Sequence, residues 1–281
     1  MLVEGQCGWM RVTGRTTSQE TGNGVGNYSL NAVTWQIGGQ YQIAPNWFLG
    51  GSLAYESSNL ASTDRTVSGN GQAGLGAVVL KYQTGPWLFA AAGFGGAGQF
   101  NTARVITLPG FGAVAKGNPG TANLGLMLRA AYTLGQESLY LRSSLGLSAI
   151  NARTGSYRES GGGALALSVD AASQTTVTLN PMLELGGRVA LADHVLLRPF
   201  VAVGMNLHST RSWRQTGRLI SAPAGSGAFA TTVPIDPVAA VVRAGVQLYT
   251  GQLMDFRLQY DGAYSGTTTT HAGSLVASMR F

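Results

Sequence analysis

From residue 7 onward the chain alternates between apolar positions and small or polar ones. Segment 269–281 shows the pattern clearly. Gly273, Leu275, Ala277, Met279 and Phe281 form one parity, and Ala272, Ser274, Val276, Ser278 and Arg280 the other. A period of two with unlike faces is the signature of a strand lying between two environments. The same alternation predicts strands over 7–18, 29–43, 47–60, 72–84, 87–101, 121–134, 138–153, 175–191, 194–210, 236–250 and 252–265. In the second of these, Val33, Trp35, Ile37 and Tyr41 oppose Ala32, Thr34, Gln36 and Gln40. In the third, Trp47, Leu49, Leu53 and Tyr55 oppose Gly50, Ser52, Ala54 and Glu56.

Connections alternate in length. Tight turns are expected at 44–46, 85–86, 135–137, 192–193 and 251. Long stretches at 102–120, 154–174 and 211–235, poor in charge and rich in Gly, Ala and Ser, read as mobile loops, and 267–270 as a link to the last strand. Twelve strands with tight turns on one rim and long loops on the other describe an all-β protein, a transmembrane antiparallel barrel of twelve strands with a polar lumen. Most strands exceed the roughly 9–11 residues needed to span a bilayer, so they should project on the loop side. Both termini fall on the tight-turn rim. Pro181 and Pro199 lie inside predicted strands, where each removes a ladder donor and is expected to disturb the register.

Composition points the same way. Charged residues make up 11% of the chain, against about 25% in soluble domains. The 41 glycines are about twice the usual share of about 7%. A transmembrane helix needs about 20 apolar residues in succession, and the densest run, Val238 to Val242, is cut by Arg243. A closed barrel is the other structure that satisfies its backbone inside a bilayer. The net charge of +6 comes from arginines dispersed singly along apolar segments, which excludes the clustered basic face of a nucleic-acid-binding protein. Cys7 is the single cysteine, so neither an intrachain disulfide nor a cysteine metal site is expected. Residues 1–10 lack the basic and apolar regions of a signal peptide. The expectation is therefore a C-terminal piece of a longer secreted precursor, with 1–6 a residual linker and 7–281 the barrel.

Several runs add a resemblance. Trp9-Met10-Arg11-Val12-Thr13-Gly14, Gln36-Ile37-Gly38-Gly39-Gln40-Tyr41, the run from Trp47 to Tyr55 and the terminal Phe281 resemble the autotransporter translocator (β) domain, the C-terminal part of type V secretion proteins. The resemblance implies a monomeric barrel in outer-membrane lipid that anchors and helps export its own N-terminal passenger. It also implies that the barrel assembly machinery reads Leu275, Ala277, Met279 and Phe281 in the closing strand. The chain departs from that family's signal at Val276, where glycine is common, and at Met279, where an aromatic is common. The family's pore-threading helix would lie upstream of the six residues that precede the first strand here. The alternative is a stand-alone porin-like or adhesin-like barrel acting through its surface loops.

On the polar parity stand Arg11, Arg129, Arg142, Glu184, Arg188, Arg198, Arg243, Asp255, Arg257 and Asp261. An arginine facing lipid at mid-depth would cost about 2–4 kcal/mol, so these residues are expected to line the lumen. They make either an electropositive conduit or simply the paired charges of a hydrated wall. Catalysis is not expected. His194, His208 and His271 fall on separate segments, no G-x-S-x-G elbow occurs, and His208 with Asp261 or Ser265 is the one conceivable acid–base grouping. The glycine triplets Gly69-Gly71-Gly74 and Gly93-Gly95-Gly98 fit G-x-G-x-x-G but lack the helix a dinucleotide needs, so no cofactor is expected.

Overall fold

The computed structural model describes residues 5–20, 27–136, 138–192, 195–223, 226–250 and 253–281. Its strands are β1 (Cys7–Gln19), β2 (Tyr28–Ala44), β3 (Trp47–Ser62), β4 (Val67–Thr84), β5 (Trp87–Leu108), β6 (Phe111–Gly117), β7 (Gly120–Gly135), β8 (Leu139–Thr154) and β9 (Tyr157–Arg158). They continue with β10 (Leu167–Val169), β11 (Ala172–Gly187), β12 (Val189–Ala192), β13 (Val195–His208), β14 (Ser212–Leu219), β15 (Phe229–Pro234), β16 (Val238–Thr250), β17 (Met254–Tyr264) and β18 (Thr268–Arg280). The one helical element among the described residues is a 3-10 turn at Gly163–Leu165.

Twelve of these strands form a closed antiparallel ring in chain order: β1, β2, β3, β4, β5, β7, β8, β11, β13, β16, β17 and β18. The ring shuts where β18 pairs with β1 through thirteen residues, from Cys7↔Arg280 to Gln19↔Thr268. Side-chain parity then separates two surfaces. Leu53, Leu124 and Leu126 are 68%, 69% and 67% exposed on the outer wall, a cost in water that disappears in hydrocarbon. Inside, buried apolar side chains gather in a small cluster of Met182, Ala202 and Val241 with Ala263 against it. Among the described residues no large side chain is fully buried, which distinguishes this barrel from a packed sandwich.

Aromatic residues mark the two edges of the apolar band. At the tight-turn rim Trp47 packs on Tyr82, and Trp87 on Tyr132, each pair with ring centroids 4.7 Å apart. Toward the loop rim Trp35 stacks on Tyr55 at 6.0 Å, and the Tyr260 hydroxyl meets those of Tyr264 and the ring of His271. From Trp47 to Tyr55 is eight residues, about 19 Å along the membrane normal for a strand tilted about 45°. Such girdles flank the apolar band of an outer-membrane barrel, which is about 25 Å tall.

Several segments differ from the sequence reading. β4 starts at Val67, not at 72, so Gly69 and Gly71 lie within it. A Cβ on Gly71 would stand 2.4 Å from the Phe100 ring, so this glycine admits the aromatic across the ladder. Segment 102–120 is not a loop. β5 runs on to Leu108 and returns as β6 about Gly110, whose φ of 76° suits glycine. Segments 154–174 and 211–235 likewise supply a second, four-stranded sheet ordered β15-β14-β10-β9. Residues 268–270 belong to β18 rather than to a link. The predicted strand 175–191 begins at Ala172 and breaks after Gly187.

The two prolines leave the register intact. Pairing of β11 with β8 is continuous through Pro181↔Leu145, and β13 with β16 through Pro199↔Val246. Both instead interrupt the seam between β11 and β13. Pairing there skips Asn180 and Pro181, resumes at Met182↔Gly204, and lapses again beyond Gly186↔Phe200, next to Pro199. The Asn180 side chain fills the first gap by donating to the Met205 carbonyl at 3.1 Å and to Asn206 Oδ1 at 2.7 Å. Amide exchange should therefore be faster along this seam than between β4 and β5, whose eighteen pairs are continuous. Removing the patch with Asn180→Ala should cost about 1 kcal/mol. Hydrogen-exchange mass spectrometry should read that as a roughly fivefold faster exchange confined to β11 and β13.

Candidate functional site: the barrel lumen

The tight-turn half of the lumen encloses a cavity of about 500 Å³. Its lining carries Arg11, Lys81, Arg142, Arg198, Arg257 and Arg280, with Asp255 as its one carboxylate among the described residues. The facing wall is small-sided, with Gly50, Ser52 and Ala77. Strand periodicity places these groups: Arg11 on β1, Arg198 on β13 and Arg257 on β17 are inward positions three or four residues above the tight-turn rim.

One network ties four strands together, β8, β11, β13 and β16. Tyr140 donates to Glu184 Oε1 at 2.7 Å and accepts from Arg198 Nη2 at 2.9 Å. Arg142 stands 3.8 Å from Glu184, and Arg198 also reaches the Tyr249 hydroxyl at 3.3 Å. Asp255 takes a hydrogen bond from Gln247 at 2.8 Å and lies 3.6 Å from Arg280. Higher in the lumen Arg243 pairs with Asp261 at 2.6 Å, and higher still Arg15 with Glu56 at 3.4 Å. Arg11 and Arg257 differ from all of these. Neither forms an ion pair among the described residues, and the buried Nε of each has no hydrogen-bond partner. Arg257 lies over Phe200, 4.6 Å from the ring centre, and Arg11 over Trp9 at 5.8 Å.

The remaining residues singled out from the sequence are placed as follows. Arg129 donates to Ser144 Oγ at 3.3 Å. Arg188 stands in the break between β11 and β12, exposed near the tight-turn rim. Leu275, Met279 and Phe281 are exposed on the outer face of β18 with Ala277 between them. His208 binds Thr178 Oγ1 at 2.9 Å, while Asp261 is engaged by Arg243 and Gln259, and Ser265 by the Thr268 carbonyl. No acid–base relay links them. His194 lies outside the described residues. Both glycine triplets sit inside β4 and β5 with no helix after them. Groups of three or more ligands for a metal are absent among the described residues.

Tyr249, Trp9 and Lys81 also line the cavity, and Tyr140 contacts Arg198; none was singled out from the sequence as a lumen residue. The inward parity of the aromatics was legible, but an aromatic on a polar face carries no charge signal. The anchoring of the second sheet had no signal at all. Glu159, 9% exposed, accepts from Arg104 at 3.2 and 2.5 Å and from the Leu167 amide at 2.9 Å, across 55 residues of sequence. Asp236 similarly clasps Thr267 through its amide at 2.7 Å and hydroxyl at 2.8 Å. Hydrogen bonds from Ser265 and Thr267 hold this carboxyl below its ordinary range, so the clasp is complete at neutral pH and weakens as pH falls through the lowered value.

The profile of the family described as "Autotransporter beta-domain" matches residues 8–261. The chain belongs to that family. Among solved structures it is similar to the translocator domain of the autotransporter NalP from Neisseria meningitidis, at 14% identity, TM-score 0.77, covering 100% of this chain and 90% of that one. The β domain of the Bordetella autotransporter BrkA follows at 15% identity and TM-score 0.67, covering 99% of each chain. The transport unit of AIDA-I from Escherichia coli follows at 12% and 0.65, covering 98% and 90%. At such identities these likenesses speak for the fold. No curated protein matches the chain. Autotransporter translocator domains are secretion barrels rather than enzymes.

Two results should follow from these contacts. Tyr140→Phe strips Glu184 and Arg198 of their shared partner, so the barrel should lose about 1–3 kcal/mol, read by unfolding in detergent monitored by heat-modifiable gel migration. Glu159→Ala should leave the barrel folded but loosen the second sheet, making Arg158 and Arg218 sensitive to trypsin while that migration persists.

Proposed function

We infer that this domain sits in the bacterial outer membrane and helps carry a passenger, joined upstream of β1, to the cell surface, where the barrel then anchors it. The single observation that carries this reading is a closed twelve-strand barrel of the autotransporter family whose first strand starts at the mouth of its own lumen. Gly5, two residues before β1, lies in the lining of the lumen cavity and its carbonyl accepts from Gln40 Nε2 at 2.9 Å, which places the start of β1 at the conduit. The step is physical: a hydrated wall lets an extended polar chain cross without meeting hydrocarbon. The cationic lining supplies attraction for carboxylates of the passing segment while offering few partners to its basic residues.

Outer-membrane lipid meets the exposed leucines between the two aromatic girdles. Leu275, Ala277, Met279 and Phe281 form an outward apolar row on β18, available to the barrel assembly machinery before the strand pairs with β1. Phe281, 70% exposed, extends that row past the last ladder residue. Deleting Phe281 should reduce both barrel insertion and surface display of a fused passenger several-fold, measured by heat-modifiability and protease accessibility on intact cells. Undiminished insertion and display would sink the proposed role of the closing strand.

A further inference from the structure

The lumen charges divide by depth. Toward the loop rim they come as ion pairs, Arg243–Asp261 and Arg15–Glu56, which leave little net field. In the tight-turn half the cavity lining holds six cations against Asp255, and Glu184 is the nearby carboxylate. Two of the six, Arg11 and Arg257, form no ion pair among the described residues, and the buried Nε–H of each has no hydrogen-bond partner there. Arg257 lies within electrostatic reach of Glu184 as well as of Arg243, Arg11 and Arg198, and Arg11 within reach of Asp261 and Arg243. Beside Arg11 the wall is neutral, with its ladder partner Gln36 donating to Ser52 at 3.0 Å.

We propose that the passenger-free barrel is an anion-selective conduit, with Arg11 and Arg257 forming an anion-binding constriction in the tight-turn half of its lumen. Small inorganic anions, chloride and phosphate, are the ligands. Rings of arginine and lysine select anions in pores because they replace part of the ion's hydration and exclude cations by repulsion. A low-dielectric wall bearing one sign of charge concentrates counter-ions by roughly tenfold or more. The guanidinium groups are held against Phe200 and Trp9, which fixes their position without neutralising them.

The test uses this chain alone, refolded in detergent and inserted into planar bilayers across a KCl gradient. The reversal potential should have the sign of an anion-selective pore, with chloride favoured over potassium by roughly tenfold. Inorganic phosphate on the tight-turn side should lower the chloride current. Arg11→Gln combined with Arg257→Gln should bring the permeability ratio several-fold closer to unity and abolish the effect of phosphate, with circular dichroism and gel migration confirming the fold. The absence of ion conduction, equal permeabilities or potassium preference in the parent would each overturn the proposal, without need of the variant. So would unchanged selectivity in a folded double variant. No passenger takes part, so failure here leaves the secretion reading standing, and failure of passenger display leaves this one standing.

Discussion

The structure depends on one constraint: in hydrocarbon every backbone N–H and C=O must find its partner within the protein. A sheet meets this only when it has no edge. Each strand satisfies one side of its neighbour, so the wall is complete only when β18 has paired with β1 along all thirteen residues. No intermediate number of strands leaves the backbone satisfied. The closing strand is therefore the element whose loss would be felt by the whole ring, although it buries little itself. The same constraint removes the need for a core. In an outer-membrane barrel stability comes from the ladder and from the surrounding lipid, which leaves the interior free to be wet and charged.

The seam between β11 and β13 shows how far the rule can be relaxed. Pro181 and Pro199 subtract donors on opposite strands of one seam, while the ladders on their other sides stay continuous. A missing donor inside a membrane normally costs several kcal/mol, but here the Asn180 side chain supplies the replacement at the first interruption. The second lies next to Pro199 near the tight-turn rim, where headgroups and water can reach the backbone. Depth decides which defect needs repair from within.

Much of this was legible before the structure. Period-two alternation with aromatics at strand ends carries a physical meaning that survives any change of tertiary detail, and it located all twelve staves of the barrel. Parity placed Arg11, Arg142, Glu184, Arg198 and Arg257 on the inward side of their strands. The rest was hidden for identifiable reasons. Strands β6, β9, β14 and β15 are short and lie in segments rich in Gly and Ala, so their pattern is too brief to read as anything but loops. The Arg104–Glu159 pair joins residues 55 positions apart, and only folding brings them together. Tyr140 bridges Glu184 and Arg198 because three strands meet at one depth, which register decides and composition does not.

The choice of arginine over lysine explains how the lumen keeps its charge. A lysine ammonium, compact and strongly hydrated, would wander on a flexible stem or collapse onto the nearest carboxylate. A guanidinium can lie flat on an aromatic ring and remain fully charged. Five inward arginines do this: Arg257 on Phe200, Arg198 and Arg142 on Tyr140, Arg280 on Tyr249 and Arg11 on Trp9. The rings hold the cations to the wall, so the bore stays clear, and they supply no negative charge, so the field is not cancelled. Arg280 and Arg142 also stand near carboxylates, Asp255 at 3.6 Å and Glu184 at 3.8 Å, and the same arrangement at Arg11 and Arg257 would have held them as firmly at the expense of the field. The aromatics on the polar parity, which carry no charge themselves, thus determine how much positive potential the conduit presents to whatever enters from the tight-turn side.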